Sequence, residues 1–170
     1  MSLFLFNVSL FALELNYMKK TLLLLLVTFL LTAGAFAQNQ KAMLYSRDPV
    51  LAKNKKIVYD FWRSVLEGGH LELASQYLTE TYIQHNPNVP TGRQGFIDFF
   101  GKFAKARPIV DTVQQPLISI VAEGNLVVTS FKEVHPDPKD PTKKYTTTSF
   151  DMFRIENGKI AEHWDADLKE

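Results

Sequence analysis

Cysteine is absent from this 170-residue sequence. The absence excludes disulfide bonds and catalytic thiols, and it also excludes a lipid-bearing cysteine behind an export signal. Hydrophobic residues make up 46% of the chain, which is enough for one substantial core at this length. The sequence therefore predicts a single domain that is stabilised by its hydrophobic core alone.

An excess of charge of one sign is also lacking. The chain has 19 basic and 18 acidic residues, a net charge of +1 and no basic block. It offers no electrostatic surface for nucleic acid or for an anionic membrane, so a small neutral molecule is the expected partner. The sequence has no HxH, HxxxH or HExxH spacing, no GxSxG motif and no phosphate-binding or dinucleotide-binding loop. We therefore expect no metal.

The first 37 residues differ in character from the rest of the chain. Residues 18–20 form a positively charged start, residues 22–31 are almost entirely apolar, and residues 35–37 supply the small side chains of a cleavage site. This pattern is typical of a secretory signal, which predicts a mature chain beginning near Gln38. The product would then be periplasmic or secreted, with no stable membrane anchor after cleavage.

Two alternatives remain for this leader. The apolar run is shorter than the roughly 18 to 20 residues that span a bilayer, which favours a cleaved signal over a membrane anchor. Residues 1–17 precede a complete signal, so either translation starts at Met18 or the leader is a longer two-part anchor. Residues 38–52 have no sustained periodicity and contain a break at Asp48-Pro49, which is typical of a linker or tail. We place the folded domain at 53–170.

Helical periodicity dominates the first half of that domain. A helix capped by Asn54 is predicted up to Gly68-Gly69, because its apolar residues follow the i, i+4 spacing of one buried face. A shorter helix follows at 71–78, then a short extended piece at 82–87. A third helix begins at Thr91 and carries a phenylalanine stripe that is more typical of a core than of a ligand site.

Strand periodicity takes over in the second half. Alternating runs rich in β-branched and aromatic residues cover 110–121, 126–134, 145–155 and 159–167. The Asn157-Gly158 pair between the last two predicts a tight hairpin, since both central residues of such a turn need positive φ. Helices followed by antiparallel strands indicate an α+β fold with the helices packed on one face of the sheet.

Certain segments carry a resemblance to a known family. They are YIQHNP at 82–87 with Gly92-Arg93 downstream, FDMFR at 150–154, NGKI at 157–160 and EHWD at 162–165. With the element order, they make the chain resemble the SnoaL-like polyketide cyclase family, in particular its branch of predicted aldol-condensation enzymes within the nuclear transport factor 2-like superfamily. The resemblance implies a cone-shaped α+β barrel whose curved antiparallel sheet wraps around N-terminal helices. It also implies a deep apolar pocket and neither a metal nor an organic cofactor.

The resemblance also implies a catalytic residue. In characterised cyclases of this family an aspartate near the chain end is the general acid/base of an intramolecular aldol closure, and its motif position matches Asp165. Those cyclases place a histidine on the preceding strand, where the nearest counterpart in this sequence is Asp151. This departure means that the resemblance supports a pocket more directly than a particular reaction.

The expected strand register separates these two aspartates. A two-residue turn at Asn157-Gly158 places Asp151 opposite Trp164, so that Asp151 faces one side of the sheet while His163 and Asp165 face the other. Only a β-bulge, or a role for one aspartate outside the pocket, would reconcile both as catalytic. Asp165 is therefore the first candidate and Asp151 the second.

The first hypothesis is an exported, cofactor-independent lyase, isomerase or cyclase in which Asp165 removes a proton next to the carbonyl group of a small apolar compound. The other catalytic candidates are His85, His163 and Asp151, and His163 could instead pair with a neighbouring carboxylate. The expected substrate-binding residues are Tyr82, Asn86, Trp62, Phe150 and Trp164. The alternative is a non-catalytic envelope protein that binds a hydrophobic small molecule. A homodimer formed through the outer sheet face is a third hypothesis.

Overall fold

The computed structural model of the protein describes residues 18–22 and 40–169. The chain divides into two compact units, Met1–Asn39 and Gln40–Glu170. Apart from residues 18–22, which are helical, the proposed export signal at 1–37 lies outside the described residues and stays a prediction. Within the described ranges, no helix is both long enough and apolar enough to cross a membrane.

Helices occupy the first half of the Gln40–Glu170 unit. Residues 40–43 are helical, and the helices that follow are α1 (Pro49–Phe61), α2 (Ala74–Tyr77) and α3 (Arg93–Phe100). A π-helical turn, Trp62–Leu66, extends α1, and a 3-10 turn, Leu71–Leu73, precedes α2. The predicted second helix is therefore short, because its last residue, Leu78, already belongs to a strand.

Helix α1 begins earlier than predicted. The Asp48 carboxylate accepts a hydrogen bond from the Val50 backbone N–H at 2.7 Å and caps the helix, and Pro49 occupies the first helical position. Proline is well suited to that position, because the missing N–H has no partner within the first turn. Asn54 is not the cap; its side-chain amide donates to the Gly124 carbonyl at 3.3 Å.

The segment before α1 packs into the fold. Gln40 is buried, its amide donates to the Val113 carbonyl, and its oxygen accepts from the Tyr59 hydroxyl and the Val113 N–H. The linker or tail predicted at 38–52 is thus wrong for Gln40 and for the helical residues from Pro49 onward. The error arose because a single buried amide has no periodic signature.

Helix α3 has a different cap from the predicted one. Gly92, with φ at 86°, is its N-cap residue. The Thr91 side chain instead bonds to the backbone at the end of the preceding extended segment. Its hydroxyl accepts a hydrogen bond from the Gln84 N–H at 3.0 Å and donates one to the Tyr82 carbonyl at 3.2 Å. The cap predicted at Thr91 is therefore wrong, because this side chain has a nearer backbone partner.

The second half forms most of a five-stranded sheet with the order β1-β5-β4-β3-β2. The strands are β1 (Leu78–Gln84), β2 (Leu117–Glu123), β3 (Leu126–Pro136), β4 (Lys144–Glu156) and β5 (Lys159–Trp164). The α+β class is confirmed, but the sheet is mixed, because β1 pairs with β5 in parallel. Strand β2 begins at Leu117 rather than near residue 110, directly behind Pro116, which cannot donate to a ladder.

A β-bulge changes the register of the closing hairpin. Next to the turn, Ile155 pairs with Ile160, but the following pair is Arg154 with Glu162, so Ala161 is an extra residue. Beyond this point Trp164 lies opposite Met152. The predicted pairing of Trp164 with Asp151 is therefore wrong, and the one-residue shift turns His163 and Asp165 to the same side of the sheet as Asp151.

The helices cover one face of the sheet and bury the core against it. Core residues from both layers include Val58, Phe61, Phe96, Phe131 and Phe153. The opposite face, called the outer face below, carries exposed apolar side chains that include Ile83, Val121 and Phe150. The homodimer through this face stays a prediction.

Candidate functional site

A cavity of about 790 Å³ lies between the helices and the inner face of the sheet. Aromatic side chains from both layers form much of its wall; they include Phe61, Trp62, Phe96, Phe99, Phe100, Phe103 and Phe153. Polar side chains from three neighbouring strands and the residues just after them complete the wall; they include Tyr82, Gln84, Asn86, Asp151, His163, Asp165 and Asp167. Such a combination is typical of small-molecule sites.

Strand alternation and the bulge bring these polar groups together. Tyr82 and Gln84 are two residues apart on β1 and therefore face the same side. Gln84 pairs with His163 across the parallel ladder. The bulge turns His163, and Asp165 just beyond the end of β5, to the side of the sheet on which Asp151 of β4 lies.

His163 lies at the centre of the polar cluster. Its Nδ1 atom is 3.0 Å from Gln84 Oε1, its Nε2 atom is 3.0 Å from Asp151 Oδ1, and its ring stacks on Phe153 at 4.6 Å between centroids. Asp165 Oδ2 lies 3.9 Å from Nδ1, which is too far for a hydrogen bond. The carboxylate that bonds to His163 is therefore that of Asp151 on the neighbouring strand, and not that of either sequence neighbour, Glu162 or Asp165.

Asp165 has hydrogen-bond donors on both carboxylate oxygens. Oδ2 accepts from Asn86 Nδ2 at 2.9 Å and Oδ1 accepts from the Asp167 backbone N–H at 3.1 Å. The Asn86 amide is oriented without ambiguity, because its oxygen accepts from the Asn88 backbone N–H at 2.8 Å. These donors hold the carboxylate in place from both sides, and a positioned carboxylate can act as a general base.

Tyr82 supplies a neutral hydroxyl. Its side chain is only 2% exposed, and its hydroxyl oxygen accepts a hydrogen bond from Gln84 Nε2 at 3.0 Å. Burial, together with the negative charges of Asp165 and then Asp151, raises the pKa of Tyr82 above its ordinary value. The phenol therefore keeps its proton, and within the described residues no hydrogen bond uses that proton.

Three of the predicted site residues lie outside the cavity. The imidazole of His85 is 2.9 Å from Glu162 Oε2 and stacks on Trp164 at 4.5 Å on the outer face. Phe150 is also on that face and is 58% exposed. The pocket positions predicted for His85, Trp164 and Phe150 are therefore wrong. Alternation along β1 points residue 85 away from Tyr82, and the bulge turns Trp164 to the outer face.

The outer face has a charge cluster of its own. Arg154 donates to Glu162 at 2.5 Å and to Glu156 at 2.7 Å. Hydrogen bonds from His85 and then from Arg154 hold the pKa of Glu162 below its ordinary value. Arg154 is therefore on the opposite side of the sheet from Asp165 and does not neutralise it.

The cavity brings together the remaining predicted residues, namely Asp165, His163, Asp151, Tyr82, Asn86 and Trp62. Their catalytic and binding roles stay predictions. Sequence reasoning missed Gln84 and Asp167 as site residues. The phenylalanine stripe, expected mainly in the core, contributes both to the core and to the cavity wall, as Phe96 shows. Gln84 could have been found, because it lies between Tyr82 and Asn86 at the two-residue spacing of one strand face.

Asp151, His163 and Asp165 offer one ligand atom each within 4.8 Å of one another, so they could hold a divalent cation. The hydrogen-bond pattern leaves only Nε2 of His163 for a metal, because Nδ1 faces the Gln84 oxygen and must donate to it. A cation would have to replace the proton between Nε2 and Asp151. The expectation of no metal stays a prediction.

Comparison with known proteins agrees with this fold. The sequence model of the SnoaL-like polyketide cyclase family matches residues 56–167. A solved structure assigned as a polyketide cyclase from Acidithiobacillus ferrooxidans is 19% identical, with a TM-score of 0.50 over 72% of this chain and 90% of that one. A structure assigned as a SnoaL-like polyketide cyclase from Jannaschia sp. CCS1 is 16% identical, with a TM-score of 0.51 over 70% and 88%. No curated protein matches the chain with significance.

Proposed function

Because the chain belongs to the SnoaL-like polyketide cyclase family, we propose that it is a cofactor-independent cyclase or isomerase that acts on a small apolar carbonyl compound. The observation that carries this proposal is the meeting of Asp165, His163 and Asp151 in one cavity with an aromatic wall. An apolar wall suits the body of such a compound, and the polar cluster suits its carbonyl group. The leader at 1–37 supports export to the periplasm or the medium.

In the proposed reaction, Asp165 takes a proton from the carbon next to the carbonyl group. The C–H electron pair moves into a new C=C bond, and the carbonyl π pair moves to oxygen, which accepts a hydrogen bond from the Tyr82 hydroxyl. An isomerase would return the proton to another carbon. A cyclase would use the enolate carbon to attack a second carbonyl in the same molecule, and the new alkoxide would take the proton shared by His163 and Asp151. Finally, the proton that Asp165 took from the carbon passes to the His163–Asp151 pair, so that all three side chains return to their starting protonation.

A binding protein without turnover is the second candidate. The aromatic wall of the cavity would hold an apolar molecule whether or not the polar cluster reacts with it. Fluorescence of N-phenylnaphthylamine, which brightens in apolar sites, measures that binding directly. Binding of this probe without acceleration of any proton transfer would favour the binding protein over the enzyme.

Solvent-deuterium exchange at the α-carbon of β-tetralone, a neutral bicyclic ketone, tests the proposed enzyme without its natural substrate. We expect wild-type protein to accelerate this exchange over buffer, as followed by proton NMR in D₂O. The Tyr82→Phe variant should be slower by about 10²–10³-fold, because a donor to the developing oxyanion is lost.

His85→Ala is the matched control, because His85 was a candidate from sequence but lies on the outer face. Its exchange rate should equal that of the wild type. No acceleration by wild-type protein would reject enolisation as the function. Equal losses in Tyr82→Phe and His85→Ala would show that the rate reports folding rather than the Tyr82 hydroxyl.

Chelation provides a further prediction. We expect EDTA to leave the exchange rate unchanged and added Zn²⁺ or Mn²⁺ not to raise it, since His163 Nε2 and Asp151 Oδ1 lie at hydrogen-bond distance, 3.0 Å, from each other. A rate that falls with EDTA and returns with one of these ions would instead assign Asp151, His163 and Asp165 as metal ligands.

A further inference from the structure

The side-chain amide of Gln84 connects His163 to the buried hydroxyl of Tyr82. Gln84 Oε1 accepts from the Asn86 backbone N–H at 3.0 Å, and Gln84 Nε2 donates to the Tyr82 hydroxyl at 3.0 Å. A backbone N–H can only donate, so the oxygen and nitrogen of this amide are assigned without ambiguity. The same oxygen lies 3.0 Å from His163 Nδ1.

The amide orientation fixes a proton on His163. An amide oxygen only accepts, so Nδ1 must carry a proton in order to make this contact. The other ring nitrogen, Nε2, lies 3.0 Å from Asp151 Oδ1, and a contact between these two atoms requires a further proton. His163 and Asp151 together therefore hold two protons, one directed at Gln84 and one shared between them.

We propose that Gln84 is a positioning residue that keeps Nδ1 of His163 protonated and so makes the His163–Asp151 pair a proton donor beside the base Asp165. This inference rests on the proposed function. With an apolar side chain at position 84, a neutral imidazole could direct its single proton at the Asp151 carboxylate, and the pair would have no further proton to give. Gln84 also directs its Nε2–H at the Tyr82 hydroxyl, so one amide orients both the proton donor and the phenol.

Ring-nitrogen NMR of the full chain tests this assignment without any ligand. The protein is labelled with ¹⁵N-histidine, and the His163 signals are assigned among the four histidines with a His163→Gln variant. At neutral pH we expect the chemical shift of a protonated Nδ1 in the wild type. Gln84→Met should lose the protonated Nδ1 signal, whereas Gln84→Glu should retain it, because a carboxylate is also an acceptor.

Gln94→Met is the matched control, because Gln94 donates to the exposed carboxylate of Asp98 on α3, its one side-chain hydrogen bond among residues 18–22 and 40–169. It should give the wild-type His163 spectrum, and circular dichroism checks that every variant is folded. An unprotonated Nδ1 in the wild type, or a protonated Nδ1 in folded Gln84→Met, would overturn the assignment. These outcomes are independent of turnover, whereas the proposed function fails on the β-tetralone rate of the wild type.

Discussion

Asp165→Asn is expected to slow the β-tetralone exchange by about 10²–10⁴-fold, the contribution of a positioned general base. An amide cannot take the α-proton, yet it has nearly the same shape as the carboxylate it replaces. Its oxygen can still accept from Asn86 or from the Asp167 N–H, which are the donors to Asp165. Affinity for N-phenylnaphthylamine should therefore change little, whereas the exchange rate should fall by the factor given above.

The matched control for this prediction is Asp98→Asn. Asp98 is an exposed carboxylate on α3, and its partner there is the side chain of Gln94. Its exchange rate and probe affinity should both match the wild type. If Asp165→Asn kept the wild-type rate, Asp165 would not be the base, and the result would favour a binding protein over the proposed enzyme.

Phe153→Ala is expected to lower the free energy of unfolding by about 3–5 kcal/mol, because truncating a fully buried aromatic ring leaves a cavity. Phe153 is 1% exposed, and its ring lies 6.4 Å from that of Phe61 and 6.3 Å from that of Trp62. It also stacks on His163 at 4.6 Å. The same side chain thus supports the core and one wall of the site.

Urea denaturation of the Gln40–Glu170 unit within the full chain measures this loss through the transition midpoint. Phe103→Ala is the control, because Phe103 is 60% exposed and should cost less than about 1 kcal/mol. Similar losses in both variants would contradict the packing described for the inner face of the sheet.

The sequence predicted the α+β class and the closing hairpin because their signals are local. Asn157 and Gly158 have φ of 50° and 76°, as a tight turn between two alternating runs requires. The strands β3 and β4 follow from runs of β-branched and aromatic residues for the same reason.

Local signals do not predict which residues line the site, because that depends on the register between β4 and β5. Nothing about Ala161 as a residue type indicates a bulge, yet this one extra residue turns His163 and Asp165 from the outer face to the cavity, where Asp151 already lies. Without the bulge Asp151 and Asp165 point apart, as an uninterrupted register predicts. Sequence patterns report periodicity, whereas the bulge is a local break in the pairing of β4 with β5.

The strand that pairs with β1 could not be predicted from the sequence either. Periodicity shows that residues near Tyr82 are extended but not that β1 pairs in parallel with β5. That pairing brings Gln84 beside His163 and places His85 on the outer face with Trp164. Sequence reasoning therefore predicts His85 as a site residue, whereas the residue that contacts His163 is Gln84.

The most direct test of the account is a crystal structure of the Asp165→Asn variant with β-tetralone. The account predicts the ketone in the cavity, with its oxygen within hydrogen-bond reach of the Tyr82 hydroxyl and its α-carbon about 3–3.5 Å from the substituted side chain. A ketone bound on the outer face beside His85 and Trp164, or bound in the cavity with its oxygen directed at the phenylalanines, would contradict it.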